Sequence, residues 1–241
     1  MSISTDRELR RALLRLLAKG RVRLGYKLFE QRDGSIRPSG ETLLVVATIA
    51  RELPLDVASQ EFAKIKQRIM DQLNDSSSYR YARYRAALLN EEAQLEIRKG
   101  NYADARALAL LALHLRPANS VEIFTDRIVL SKADLYSGAT TTALYHLRAD
   151  LRTLVRREDA EYHTALIHDY IWWTAVAAAI AGSPDAFEYA SFVLGGWVLP
   201  NAVFSDRNKD SGKIKRRAPA LLFIVSGRFR GHLARALLRF S

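Results

Sequence analysis

From Asp6 to Lys19 the apolar positions Leu9, Leu13, Leu16 and Leu17 fall on one helical face, with Arg7, Arg10, Arg11 and Arg15 largely on the others. That spacing predicts an amphipathic helix. Thr5 with Glu8 three residues on is a capping-box pattern for its start. Arg21–Phe29 either continues this helix or opens a second one after Gly20. Residues 31–40, QRDGSIRPSG, are rich in turn formers and read as a loop. They do not form a phosphate loop, because no Lys-Ser/Thr pair follows and no hydrophobic strand precedes. Glu41–Arg51 reads as a short apolar helix through Leu43, Leu44, Ala47 and Ile49, broken by Pro54. Asp56 is a plausible cap for Val57–Leu73, where Phe62, Ile65, Ile69 and Leu73 recur at helical steps. Residues 74–78, NDSSS, read as a linker and a subdomain boundary.

The most informative stretch follows. Tyr84–Lys99 reads as a helix with Leu88, Leu89, Ala93 and Ile97 on its apolar face. A tight turn at Gly100-Asn101-Tyr102 leads to a second helix, which Pro117 stops. Ala105, Ala109 and Ala112 allow close helix approach, and Leu108, Leu111 and Leu115 are expected to fill the space between the two helices. Two helices joined so closely make an antiparallel hairpin.

Gly100, Tyr102, Ala105, Ala112 and Pro117 stand at the turn, aromatic, small-residue and closing positions of a tetratricopeptide repeat (TPR), which this stretch resembles. Leu89 and Ala93 fit the first helix of that pattern, while Glu92 stands where a leucine is usual. Weaker echoes follow. In 122–151, Gly138 and Ala143 repeat the glycine-to-alanine step, Leu130 and Ser131 take the large and small positions of the preceding helix, Arg127 replaces a large apolar residue, and Asp150 replaces the second alanine. In 160–198, Gly182 opens the turn, Pro184 and Ala186 follow, Ile171, Ala175 and Ala178 suit the first helix, and Phe187, Ala190 and either Val193 or Leu194 suit the second. The resemblance implies an all-α fold in which antiparallel hairpins stack as a short TPR-like superhelix, with N-terminal helices before it and a C-terminal capping helix after it. The expected organisation is an N-terminal helical region over 1–74, a repeat array over 79–198, and a basic loop with an amphipathic helix over 199–241. In that last helix Leu233, Ala236, Leu237 and Phe240 form the apolar face.

Composition narrows the function. The chain has 241 residues, no cysteine and a formal charge of +11. It has no thiolate metal site, no disulfide framework and no apolar run of membrane-spanning length. The start becomes charged at once, unlike a secretory signal. A cytoplasmic protein is therefore expected. The charge is uneven: residues 1–30 balance to +5, residues 205–241 to +8, and the middle to −2. The two ends carry the positive field.

Catalytic and metal chemistry find no support in the pattern. His163 and His168 are five apart, roughly 140° apart around a helix, unlike the four-residue step of zinc helices. His114, His146 and His232 are isolated, Ser226 has no nucleophile-elbow surroundings, and the adjacent carboxylates Glu91–Glu92 point different ways on a helix. The chain reads as a non-catalytic adaptor or chaperone without a cofactor, binding a peptide or subunit of another protein. By the TPR frame, Asn90, Gln94, Arg98, Lys132, Tyr136 and Trp172 line the concave wall where that partner would dock, with the core as the alternative place for Trp172 and the core expected for Trp173. The competing reading is binding to nucleic acid, an anionic surface or an acidic subunit through the basic ends. Its residues are Lys209, Lys213, Lys215, Arg216, Arg217, Arg228, Arg230 and Arg235, together with the basic face of residues 6–19. Self-association into a homo-oligomer through an apolar array end is left open.

Overall fold

The structure, a computed structural model, describes residues 4–32, 34–73, 78–186 and 189. Among these there are nine α-helices and no strand: α1 (Asp6–Ala18), α2 (Val22–Glu30), α3 (Gly40–Arg51), α4 (Leu55–Leu73), α5 (Ser78–Lys99), α6 (Tyr102–Leu115), α7 (Glu122–Tyr136), α8 (Thr140–Val155) and α9 (Thr164–Ile180). A short 3₁₀ turn, Ala160–His163, precedes α9. The fold is all-α. Two compact units divide the chain, residues 1–129 and 130–241, with the division inside α7.

In the first unit, neighbouring helices pair: α1 with α2, α3 with α4, and α5 with α6. Helix α3 also meets α1, α2 and α5, and α4 meets α5. One core cluster gathers Leu9 and Leu13 of α1, Phe29 of α2, Val46 and Ile49 of α3, Phe62, Ile65 and Ile69 of α4, and Leu88 and Leu95 of α5. Helix α5 therefore buries two faces. Leu88 and Leu95 close the N-terminal cluster, while Ala86 and Leu89 pack with Ala112 of α6, flanked by half-buried Leu108 and Leu115. The NDSSS stretch, of which 74–77 lie outside the described residues, joins elements that share one core.

Gly100 shows why the α5–α6 turn is so tight. Its φ of 86° lies in the left-handed region that side chains disfavour. The Gly100 N–H donates to Ile97 O (3.1 Å) and the Asn101 N–H to Glu96 O (2.9 Å), the paired bonds of a Schellman end. Gly20, Gly138 and Gly182 also have positive φ and end α1, α7 and α9 with the same two bonds. The turn at Gly20 settles the first helical segment as two helices, α1 and α2. Five residues after Gly20 stands Gly25, buried, where an added Cβ would lie 3.2 Å from Ile49 Cδ1. Ala105 and Ala143 occupy the same place after Gly100 and Gly138, and both are fully buried. In α2 and α6 a small residue at this step lets the helix seat closely on its neighbours.

Several boundaries differ from expectation. Helix α4 starts at Leu55, with Pro54 O accepting from the Val57 and Ala58 N–H groups, so Asp56 sits in the first turn and is not the cap. Helix α5 starts at Ser78, six residues before Tyr84. Leu111 does not fill the α5–α6 space; it is 55% exposed. The facing stripe consists of Ala105, Ala109 and Ala112, and Leu111 is one residue, about 100°, off it. At the start of α1, Thr5 Oγ1 accepts from the Glu8 N–H as the capping box requires, but the Glu8 carboxylate reaches the Ser4 N–H at 2.9 Å.

The polar departures from the repeat pattern have partners. Glu91 and Glu92 diverge as adjacent helix residues must: Glu91 accepts from Thr48 Oγ1 (3.0 Å) and pairs with Arg51 of α3 (3.2 Å), while Glu92 binds Lys66 of α4 (2.7 Å). In the second unit α8 packs on α9. There, buried Asp150 accepts from the Tyr170 hydroxyl of α9 at 3.3 Å. The turn after α9 is tied back to α8 by Arg148, which donates to Ser183 Oγ (2.8 Å) and to the Asp185 carboxylate. The expected helix through Phe187, Ala190, Val193 and Leu194 and the expected capping helix near the C-terminus lie outside the described residues.

Candidate functional site

The six wall residues separate into two groups of different character. Asn90, Gln94 and Arg98 lie along α5 in the first unit. Asn90 is buried; its Nδ2 donates to Asp126 Oδ1 (2.7 Å) and to Thr125 O (3.3 Å) on α7, and its Oδ1 accepts from Gln94 Nε2 (2.9 Å). Asp126 is completed by Arg116 Nε at 2.8 Å, and both side chains of that pair are nearly fully buried. Burial pushes the Asp126 carboxyl above its usual range, against the opposing pull of Arg116 and Asn90. Arg98 is half-buried and donates to Leu53 O at 2.8 Å, just before α4. The amides of this group tie α5 to the start of α7, and Arg98 ties α5 to the end of the α3–α4 connection.

The second group lies in the second unit and has more of the character of a surface. Lys132 and Tyr136 stand four apart near the end of α7, so they share a helical face. Trp172 and Trp173 come from the middle of α9. All four side chains are half-buried. The Lys132 ammonium lies 4.5 Å from the centre of the Trp173 ring. Tyr136 meets Trp173 edge to face, with ring centres 6.2 Å apart, and Trp172 meets it likewise at 6.3 Å. A cation held over an indole is worth about 0.5–1 kcal/mol when exposed and more when desolvated, and each edge-to-face pair adds about 0.5–1.5 kcal/mol. Trp173, expected in the core, is the centre of this cluster.

Adjacency explains the difference. Two consecutive tryptophans on a helix diverge by about 100°, and α9 is so apolar around its circumference that its pattern does not single out one outward face. Its buried residues include Tyr170, Ile171, Thr174, Ala175, Val176, Ala177 and Ala178. The four-residue step of Lys132 and Tyr136 on α7, and Trp172 by the repeat frame, were the signals in the sequence that pointed at this face.

The histidines are apart in role. His163, in the 3₁₀ turn, lies 3.2 Å from Asp159, whose carboxyl is held low by hydrogen bonding to Arg157 and His163. His168 is buried in α9, and desolvation lowers its pKa. No group of three His, Cys, Asp or Glu side chains among the described residues is placed to hold a metal ion. The basic C-terminal residues Lys209 to Arg235 named above lie outside the described residues.

Comparison with protein-family models, with curated proteins and with solved structures finds no match to this chain.

Proposed function

We propose that this protein is a non-catalytic, TPR-like scaffold or adaptor that binds a segment of another protein on the α7–α9 surface. One observation carries the reading: Trp172 and Trp173 stand side by side, half-buried, with Lys132 and Tyr136 fixing the orientation of Trp173. Rigid aromatic anchors beside a cation are the composition of interface hot spots, because they offer much contact area for little lost conformational entropy. A segment with an apolar anchor suits the ring faces; the Lys132 ammonium lies over Trp173 and also acts on the Asp169 carboxylate, so its part is to hold the ring in place. Helix α9, which carries the tryptophans, packs on α8, so binding needs little ordering of that helix.

The test is affinity purification of the full chain at native expression, wild type beside Trp172→Ala and Lys132→Ala, with helix content checked by circular dichroism. The expected result is a protein retained by wild type and depleted at least tenfold by either substitution, since hot-spot truncations cost about 2 kcal/mol or more. Equal recovery with all three chains removes the proposal.

A further inference from the structure

The N-terminal pair α1–α2 carries a second surface, built on a different observation. Both helices pack on α3, so their outer faces point away from the same support. On α1 the residues opposite buried Leu9 and Leu13 are Arg7, Arg11, Leu14 and Arg15, all exposed. On α2 the residues opposite buried Tyr26 and Phe29 are Arg23, Leu24 and Lys27, also all exposed. The side chains of these five cations form no hydrogen bond or ion pair among the described residues. The acids of the pair are Asp6, which accepts from the Ser39 N–H, Glu8, which accepts from Ser4, and exposed Glu30 at the end of α2, so the five cations outnumber the three carboxylates. Leu14 is 47% exposed and Leu24 49%. Each outer face thus has one leucine set among cations.

We infer that this face docks on an anionic lipid bilayer, lying in the headgroup layer without crossing it. Charge complementarity selects an anionic partner, because unpaired cations near such a surface gain about 1 kcal/mol each. The leucines select lipid over nucleic acid. A phosphate backbone offers an apolar side chain nothing, whereas the boundary between headgroups and acyl chains takes it up while the flanking arginines stay with the phosphates. No helix among the described residues is long and apolar enough to cross a membrane, and the outer faces of α1 and α2 are amphipathic, as a contact lying in the headgroup layer requires.

The experiment is co-sedimentation of the full chain with phosphatidylcholine vesicles, with and without phosphatidylserine, alongside retention on double-stranded DNA. Wild type is expected to sediment only with the phosphatidylserine vesicles. Arg7→Gln/Arg11→Gln/Arg15→Gln should weaken that partition on the order of a hundredfold, from three lost charges. Leu14→Ser/Leu24→Ser should weaken it on the order of tenfold and leave DNA retention unchanged. All five positions are exposed, so circular dichroism should show intact helices. Three results overturn the inference: wild type failing to sediment with anionic vesicles, the arginine variant sedimenting as wild type does, or the leucine variant partitioning unchanged. The last is the behaviour of a purely electrostatic polyanion site.

Discussion

Asp126 is a carboxylate with almost no access to water, satisfied by one guanidinium and one amide. Removing one partner of such a pair strands the other charge in a poor solvent, which costs about 3–5 kcal/mol. Arg116→Ala is therefore expected to destabilise the protein by that amount in urea unfolding. The double change Arg116→Met/Asp126→Leu should cost less than Arg116→Ala alone, since no ion is then left buried. Asn90 keeps Thr125 O as an acceptor in the double variant. His168 makes a different residue-scale prediction. Its folded pKa lies below the ordinary 6.5 because burial penalises the imidazolium. Its neutral form thus contributes stability that is present above pH 6.5 and lost as the pH falls through the folded value. Thermal midpoints should decline as the pH falls below 6.5, and His168→Gln should flatten that decline. Carboxylates held low by their partners, such as Glu61, lose their contribution only below the ordinary value of 4.5, so the two effects separate on the pH axis.

At the scale of the element, the α5–α6 pair rests on alanine. Ala105, Ala109 and Ala112 are fully buried, whereas the leucine beside the last of them faces outward. Ala112→Leu should cost about 1–3 kcal/mol through overpacking against Ala86 and Leu89. Leu111→Ala should stay within about 0.5 kcal/mol of wild type. Chemical denaturation of both variants checks the assignment, and the reverse order of effects would refute it. This pair was legible from its residues because a left-handed glycine, three alanines at helical steps and a closing proline each have a single physical meaning. The face of Leu111 was not, since a leucine one position off a small-residue stripe satisfies the same three- and four-residue spacing. Helix α5 extends beyond its sequence pattern because its first turns, Ser78–Arg83, carry tyrosine and arginine and no apolar period. The centre of the candidate site escaped the pattern for a related reason: on an all-round apolar helix such as α9, periodicity has no contrast with which to assign Trp173 a side.

For the molecule as a whole, the two proposed surfaces belong to different units and different chemistries. Cations without partners among the described residues gather on α1 and α2, while half-buried aromatic rings gather between α7 and α9. On the two proposals, one surface takes a charged sheet of lipid and the other a protein segment. Salt weakens the first contact more than the second, because screening acts on exposed charge and little on ring packing. The two proposed contacts should therefore separate in one preparation by ionic strength alone.

The clasp formed by Asn90, Arg116 and Asp126 also governs how the polypeptide can be shortened. It spans 36 positions, from α5 to α7, and its last member lies beyond the proline that closes the α5–α6 pair. A truncation placed at that proline, the natural-looking cut site, would expose the Asn90 amide and leave Arg116 with no counterion. Expression of an isolated N-terminal piece should accordingly carry the chain through the opening turns of α7.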